Sequence, residues 1–556
     1  MRKIKTIFTV AILTFIFTIQ IITIKYVRAD STTVNIKDFG AHSIDEAGYS
    51  DFDSSSAINN AIQYAKNNGY TTVDFGSGRY YADKIFVESN ITYKATGGAT
   101  LIAAPTSQIN TGVIQASNKS NMVFDGVNID GNMDVVPGDI QSGHALIKMI
   151  TCSNLTFVNC YLHDNWYVGI SLENGCDHIV ARNNSIYDTD SGIISVGTPT
   201  NYVTIDSNEI WGGKNQHSEP ISIYNDGVQG LSHDITITNN SLHDKTLGLG
   251  IHLRNTSNVL VSGNTIYNTA VGIGAGTGGI DPSSNHVIGQ VDIMDENITI
   301  SNNDINNCGI GMQLELSDST VSNNNVSNIN GTGIWLESPQ GRYINQNTLV
   351  TQNTITNVNG NNNGDVPLRV QYSKNCTLDN NTTIDDRIPA KPSRNIQIIG
   401  SVCDGNIIQN NTHLGCTYNN GQDIDINAAT NTTIKDNVAD IYSNTPSILV
   451  INNTPKGYNT AWLDNANLKI VLVPSTDYPI INNIGNYAYK SIAGIAWIGR
   501  TATITFSKSG ANAGYITSGG NIILTQGDFK PAFSGASITL KYDGINWTEQ
   551  SRYNVN

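Results

Sequence analysis

From Tyr93 to Asn453 the chain repeats one short phrase of apolar and polar positions. Ile235-Thr236-Ile237-Thr238-Asn239-Asn240-Ser241-Leu242, Leu260-Val261-Ser262-Gly263-Asn264-Thr265-Ile266 and Ile298-Thr299-Ile300-Ser301-Asn302-Asn303-Asp304-Ile305 each alternate apolar residues, pass an Asn corner and return to an apolar position. A second segment, usually opened by Gly, follows each phrase: Val168-Gly169-Ile170, Leu249-Gly250-Ile251, Val271-Gly272-Ile273, Ile310-Gly311-Met312 and Thr332-Gly333-Ile334. The period of roughly 22 to 30 residues lies in the range of solenoids. Strands this short cannot stand alone. Stacked coil on coil, about 4.8 Å apart, they pair in parallel and bury a continuous column of Ile, Leu and Val. Asn at equivalent corners can pass side-chain hydrogen bonds along such a stack, and it tolerates a left-handed backbone. The pattern predicts an all-β chain, a parallel β-helix of about a dozen coils.

The two ends break the pattern. Over Ser54–Lys66, Ala57, Ile58, Ala61, Ile62 and Ala65 recur at helical spacing, with Asp53 or Ser54 as N-cap. One amphipathic helix is a fitting lid for the open apolar end of a stack. Beyond Thr454 the repeat stops. Ala502–Phe506 and Ala536–Tyr542 alternate like antiparallel strands, and Asp543-Gly544 is a hairpin turn before Trp547. The expected organisation is an export signal over 1–29, a lead-in and capping segment over 30–92, the β-helix over 93–453, and a small antiparallel β-domain over 454–556.

Composition sharpens this. Arg2, Lys3 and Lys5 precede an apolar run from Thr6 to Ile24, and Val27-Arg28-Ala29 supplies a cleavage pattern. The chain is expected to be secreted, with an uncleaved anchor as the rival and no membrane contact once the signal is removed. A net charge of −15 argues against nucleic acid as a partner and leans against strongly anionic polymers. The seven cysteines, Cys152, Cys160, Cys176, Cys308, Cys376, Cys403 and Cys416, show no metal or redox spacing and read as filler of the stack. Cys376 and Cys403 follow similar points of adjacent repeats, where a disulfide is one option.

The segment Val34-Asn35-Ile36-Lys37-Asp38-Phe39-Gly40-Ala41, followed by an acidic stretch and the Ala/Ile helix, resembles the N-terminal motif of the pectate-lyase-like superfamily. That superfamily includes polygalacturonase-type hydrolases, alginate lyases, mannuronan C5-epimerases and phage tailspike depolymerases. The resemblance covers most of Thr33–Asn453. It implies a right-handed helix in a secreted bacterial protein, an extracellular polysaccharide as partner, and leaves a homotrimer open. The tail from Gly519 to Arg552 looks like the small β-modules that follow such helices in tailspike-like proteins. The active-site patterns do not carry over. Val168-Gly169-Ile170-Ser171-Leu172-Glu173 lacks the aspartate and histidine of the epimerase strand, and Gly143-His144-Ala145 only echoes the polygalacturonase glycine–histidine–glycine. No calcium-binding nonapeptide is present, so no cofactor is expected, with calcium left as an option that no motif supports.

By the superfamily resemblance one sheet is flanked by long turns and holds the substrate, and the Gly-opened strands are the candidate. If Ile170, Ile251, Met312 and Ile334 point inward, alternation places Ser171, Glu173, Ser222, Tyr224, Asp226, His252, Arg254, Gln313, Glu315, Trp335, Glu337, Arg369 and Gln371 outward. Glu315 and Glu337 share a register on consecutive coils. Two such carboxylates repel, which separates an acid from a base or nucleophile. Trp335 is a natural sugar platform. His252 and Arg254, helped by Arg369, have the base and cation that elimination beside a uronate carboxylate needs. Long insertions at Trp211–Pro220 and Thr277–Glu296 bring Lys214, His217, Glu219, Asp281 and His286 nearby. The pairs His163-Asp164 and His243-Asp244 read as turn chemistry.

Three functions remain open. One is a glycoside hydrolase or transglycosylase using Glu315 and Glu337, with Asp226 also a catalytic candidate. In it Glu173, Glu219, Tyr224, Asp281, Gln313, Trp335 and Arg369 bind substrate. The second is a polysaccharide lyase using His252 and Arg254. The third is a glycan-binding surface protein without catalysis.

Overall fold

The structure, a computed structural model, describes residues 33–107, 111–136, 144–213, 219–276, 293–337, 344–358, 365–387, 394–414 and 423–437, and, with interruptions, 439–554. The expected export signal, Lys214, His217, Asp281, His286 and Cys416 lie outside the described residues. The contacts separate residues 1–32 from Thr33–Asn556, and only the latter unit is described.

Two long parallel sheets, of 19 and 23 strands among the described residues, form the body. Each coil gives one strand to the first sheet, turns at its Asn corner, and gives a short strand and a Gly-opened strand to the second. In the first sheet Val203, Ile235, Val259 and Ile298 stack in register. In the second, Ile193, Ile221, Ile251, Ile273, Met312, Ile334, Leu368, Ile396 and Ile424 form one column. Every one of these is buried. At about 1.5–3 kcal/mol for each large apolar side chain removed from water, such columns supply the main driving force of the stack.

The glycines that open the groove strands answer a close approach. A Cβ on Gly272 would lie 2.5 Å from the Gly311 carbonyl oxygen and 2.6 Å from Ile305 Cγ2. A Cβ on Gly250 would meet Ile266 Cγ2 and the Gly272 carbonyl at 2.5 and 2.6 Å. The bend between the short strand and the groove strand thus stacks backbone on backbone.

The Asn corners divide two tasks between neighbouring residues. The first residue of each corner takes the left-handed backbone: Asn239, Asn302, Asn323, Asn380 and Asn410 have φ between 54° and 57°. The next residue is buried and builds a hydrogen-bonded ladder. Asn184, Asn208, Asn240, Asn264 and Asn303 each donate Nδ2 to Oδ1 of the Asn one coil on, at 2.8–2.9 Å. The ladder continues through Asn324, Asn353, Asn381 and Asn411 to Asn437. Main-chain bonds run on through the corners, and the amides meet the groups these leave over, as Asn264 does by accepting from Asn240 N at 2.9 Å and donating to the Ile237 carbonyl at 3.0 Å.

The N-terminal helix spans Ser55–Asn68 and buries Ala57, Ile58, Ala61, Ile62 and Ala65 in the main core. The cap falls at one of the two expected residues, without the expected side-chain bond. Ser54 holds the N-cap position without a side-chain cap bond and instead pairs with the His42 backbone, while Asp53 Oδ1 accepts from Ser55 N at 2.9 Å. The parallel ladder also starts upstream of the Tyr93 where the pattern begins, because Thr33–Asn35 pairs with Thr72–Asp74 and that strand with Thr92–Lys94. These first coils vary too much in length to betray a period. Inside them Phe75, Tyr93, Phe124 and Phe157 stack along the axis.

After the stack a smaller unit has its own core around Ile504, Phe506, Phe529, Ile538, Leu540 and Trp547. Thr501–Phe506 pairs antiparallel with Ser537–Tyr542, which pairs antiparallel with Trp547–Tyr553. Parallel neighbours flank this meander, so its sheet is mixed. The disulfide option fails: Cys376 and Cys403 are free thiols, buried like the other described cysteines. Burial raises their pKa values, Cys376 to about 11. No described helix is long and apolar enough to cross a membrane.

Candidate active site

The outward positions of the Gly-opened strands make one ribbon. Along it, in register, run Lys148, Ser171, Ile194, Ser222, His252, Gly274, Gln313, Trp335, Arg369, Gln397 and Asp425. Two residues later come Glu173, Val196, Tyr224 and Arg254 on the same strands, and Gly276, Glu315 and Glu337 just past the ends of theirs. Alternation places all of these except the glycines where a bound chain would lie.

The middle of the ribbon is a network of paired charges and aromatic rings. His252 Nδ1 bonds Glu219 Oε1 at 2.9 Å, and both side chains are mostly covered. Burial disfavours the imidazolium, but the charge and hydrogen bond of Glu219 outweigh it and raise the His252 pKa. Tyr224 pairs with Arg254 across the strands, and its ring lies over His252 with centroids 6.5 Å apart. Burial, then the neighbouring Tyr167 and Glu219, push the Tyr224 phenol up to about 12. Glu173 closes this side, held by Lys148 at 3.2 Å and by the Ser171 hydroxyl at 2.9 Å.

Gly274 and Gly276 follow on the next coil, and they interrupt the row of side chains. The gap belongs to Glu315: its Oε2 lies 2.8 Å from the point a Cβ on Gly276 would occupy. Glu315 is buried, at 2% exposure, deeper than an outward position implies. On the following coil Glu337 N donates to the Leu314 carbonyl at 2.9 Å, which sets the two glutamates side by side. Burial raises the Glu337 carboxyl. The Gln313 amide, at 2.9 Å, and the Arg369 charge pull it down, Glu315 pushes it up again, and the net shift is upward. Farther along, Arg394 bonds Asp425 at 2.9 Å, and Gln397 donates to the same carboxylate.

Trp335 differs from a bare sugar platform. The Arg369 guanidinium sits 4.8 Å over its ring, so one face is taken by a cation. Asp226 lies outside the cluster. Its backbone N bonds Gly197 and its Oδ1 accepts from Val228 N at 3.0 Å, so it shapes the turn after the strand.

Two groups escaped the alternation argument. Tyr167 feels Glu173, Asp190 and Glu219, and burial raises its phenol. It sits where the register shifts between Asn165 and Val168, a bulge that resets the in–out count. Asp295 opens a strand of the other sheet, accepts from Thr256 N and Oγ1 at 2.5 and 2.8 Å, and is fully buried. Burial moves it to about 7, beside His252.

In the His163-Asp164 and His243-Asp244 pairs the histidines lie in strand register, and the corner follows at Asp164 and Asp244, both in the left-handed region. Their imidazoles bond the adjacent carboxylates at 2.7 and 2.8 Å. Asp130, His163 and Asp164 bring donor atoms within 4.8 Å of one another. Asp130 already accepts from Asn132 N and His163 is bound to Asp164, so the set serves its own turn.

The Glu219–His252 pair has a measurable consequence. Stability from a protonated His252 is fully present below the ordinary histidine pKa near 6.5 and is lost as pH rises through the raised folded value. Glu219→Gln should flatten the melting-temperature profile across that window relative to the parent protein. Equal slopes for the two proteins would refute the pairing.

A stacked parallel coil with a polar, mostly covered ribbon along its Gly-opened strands defines the class: a parallel β-helix with a row of polar side chains on one sheet. The family model described as "right handed beta helix region" matches residues 112–289, 201–348 and 293–454, and the chain belongs to that family. No curated protein matches it in sequence. Among solved structures, the A-module of mannuronan C-5 epimerase AlgE6 from Azotobacter vinelandii is 16% identical, with 76% of this chain and 99% of that chain covered and a TM-score of 0.47. The catalytic unit of a GH87 α-1,3-glucanase from Streptomyces thermodiastaticus is 15% identical over 67% of each chain, with a TM-score of 0.46. PfbA, a surface adhesin of Streptococcus pneumoniae, is 14% identical over 76% of this chain and 93% of that one, with a TM-score of 0.40.

Proposed function

We propose that the protein is a secreted, carbohydrate-active β-helix enzyme, a glycoside hydrolase or transglycosylase acting on an extracellular polysaccharide in the groove. The observation that carries this is the Glu315–Glu337 pair, adjacent in register, with the Glu337 carboxyl raised by burial and by its neighbour. A carboxyl raised in this way is suited to act as the acid, which leaves Glu315 the part of the nucleophile. Strands about 4.8 Å apart suit the roughly 5 Å separation of retaining enzymes.

In that scheme the Glu337 proton passes to the glycosidic oxygen as a Glu315 oxygen bonds the anomeric carbon and the exocyclic C–O bond breaks. Glu337, now a carboxylate, takes a proton from water or from a sugar hydroxyl. The resulting oxygen displaces Glu315 and regenerates both groups. His252, Arg254 and Arg369 hold the polymer on either side.

The same electrostatics weigh against elimination. A base for β-elimination must be unprotonated. Glu219 favours the imidazolium of His252, and Tyr224 is pushed to about 12. Incubation with neutral and acidic polysaccharides should release reducing ends without an ultraviolet-absorbing product, and the first-formed anomer should retain the substrate's configuration. An unsaturated, absorbing product would replace hydrolysis by lysis, and binding without turnover across the panel would leave a glycan-binding protein.

A further inference from the structure

We propose a second carbohydrate site, away from the glutamates, that takes one neutral sugar ring against Tyr267. On the short strands that precede the groove strands, His163, Tyr187, Trp211, His243 and Tyr267 occupy one register on consecutive coils. Their rings are nearly parallel, with centroids 4.9, 5.0, 5.9 and 4.6 Å apart in turn. Each inner ring has both faces covered by its neighbours. Tyr267 ends the row. One face lies on His243, tilted by 4°, and the residue in register on the next coil is Asn306, then Ser327.

Where the ring is replaced by a short amide, the surface falls away into a shallow, open hollow lined by Tyr267, Asn268, Asp304, Asn306, Asn307 and Asn328. The polar groups are oriented by their neighbours. Asn306 Nδ2 donates to Ser327 Oγ at 2.8 Å, Asn307 Nδ2 to Asn268 Oδ1 at 2.6 Å, and Asp304 Oδ1 accepts from Asn325 at 2.8 Å. These bonds direct the Asn306 and Asn307 carbonyl oxygens and the second Asp304 oxygen to act as acceptors, which suits hydroxyl donors. An aromatic face suits the C–H face of a pyranose. No Lys or Arg lines the hollow and Asp304 does, so a uronate or sulfated sugar meets repulsion and finds no partner. The corner at Asn307 and Cys308 separates this hollow from Gln313 and the groove, and nothing in the argument depends on Glu315 or Glu337.

Saturation-transfer NMR and titration calorimetry test it, on full-length protein carrying Glu315→Gln and Glu337→Gln so that no probe is consumed. The probes are cellotetraose, maltotetraose, laminaritetraose and xylotetraose, with tetragalacturonate as the anionic comparator. At least one neutral probe should bind, with saturation concentrated on the C–H protons of one ring. Tyr267→Ala should weaken that binding about tenfold or more, and Tyr267→Phe should keep it. Asn306→Tyr, a strand-favouring change that extends the stack and fills the hollow, should abolish it with the fold intact. The proposal is overturned if no neutral probe binds, if binding survives Tyr267→Ala or Asn306→Tyr unchanged, or if tetragalacturonate is the ligand these substitutions remove.

Discussion

Glu337→Gln should lower kcat on a natural polysaccharide by about 10²–10⁴-fold, the range of a general acid, and should cost far less on an aryl glycoside whose leaving group needs no proton. Glu315→Gln should abolish turnover of both substrates, because the bond to the anomeric carbon is lost whatever leaves. The double variant should be hardly worse than Glu315→Gln alone, since the two groups act as a unit. The pH profile supplies a sign that a merely structural role would not. Glu337 must be protonated to act, so activity falls as pH rises through its pKa. Arg369 lowers that pKa; Arg369→Ala removes this pull and should move the alkaline limb to higher pH. A limb that stays in place, or full activity in both glutamine variants, would remove these glutamates from the chemistry.

Much of this site was legible because a parallel stack has a rigid grammar. Register repeats from coil to coil and side chains alternate, so a count from Ile251 and Ile334 was enough to set His252, Gln313, Trp335 and Arg369 in one row. The count fails where the backbone departs from alternation. Tyr167 lies within a bulge, and Asp226 has already entered a turn. Periodicity also says nothing of what side chains do after they leave the sheet. It could not show that Arg369 covers Trp335, that Glu315 sinks over a glycine, or that Glu219 reaches His252. The histidines at 163 and 243 show the same limit. Their turns were readable from Asp164 and Asp244, but the ring stack they join needs Tyr187, Trp211 and Tyr267 in register, which only coil lengths determine.

Asn303→Leu should destabilise the stack by about 3–5 kcal/mol, although Leu is more apolar and the site is 1% exposed. The expectation follows from counting bonds. Asn303 Oδ1 accepts from Asn264 N and Asn264 Nδ2 at 3.0 and 2.9 Å, and its own Nδ2 donates to the Val261 carbonyl and to Asn324 Oδ1. Leu leaves the Asn264 N–H unmet, strips one Nδ2 hydrogen of its best partner while the other keeps the Ile237 carbonyl, and takes a donor from the Val261 carbonyl, and each buried orphan costs about 1–3 kcal/mol. The apolar gain of the new side chain offsets only part of this. Asn325→Ala is the control on the adjacent strand: its amide donates to Asp304 at the surface, so its removal should change stability by less than about 0.5–1 kcal/mol. Urea unfolding of both variants beside the parent protein measures the difference. Because each coil is held by its neighbours, hydrogen exchange should also accelerate at Asn264 and Val261 before distant coils respond. A loss for Asn303→Leu no larger than for Asn325→Ala would mean that the amide spine follows the stack and does not hold it.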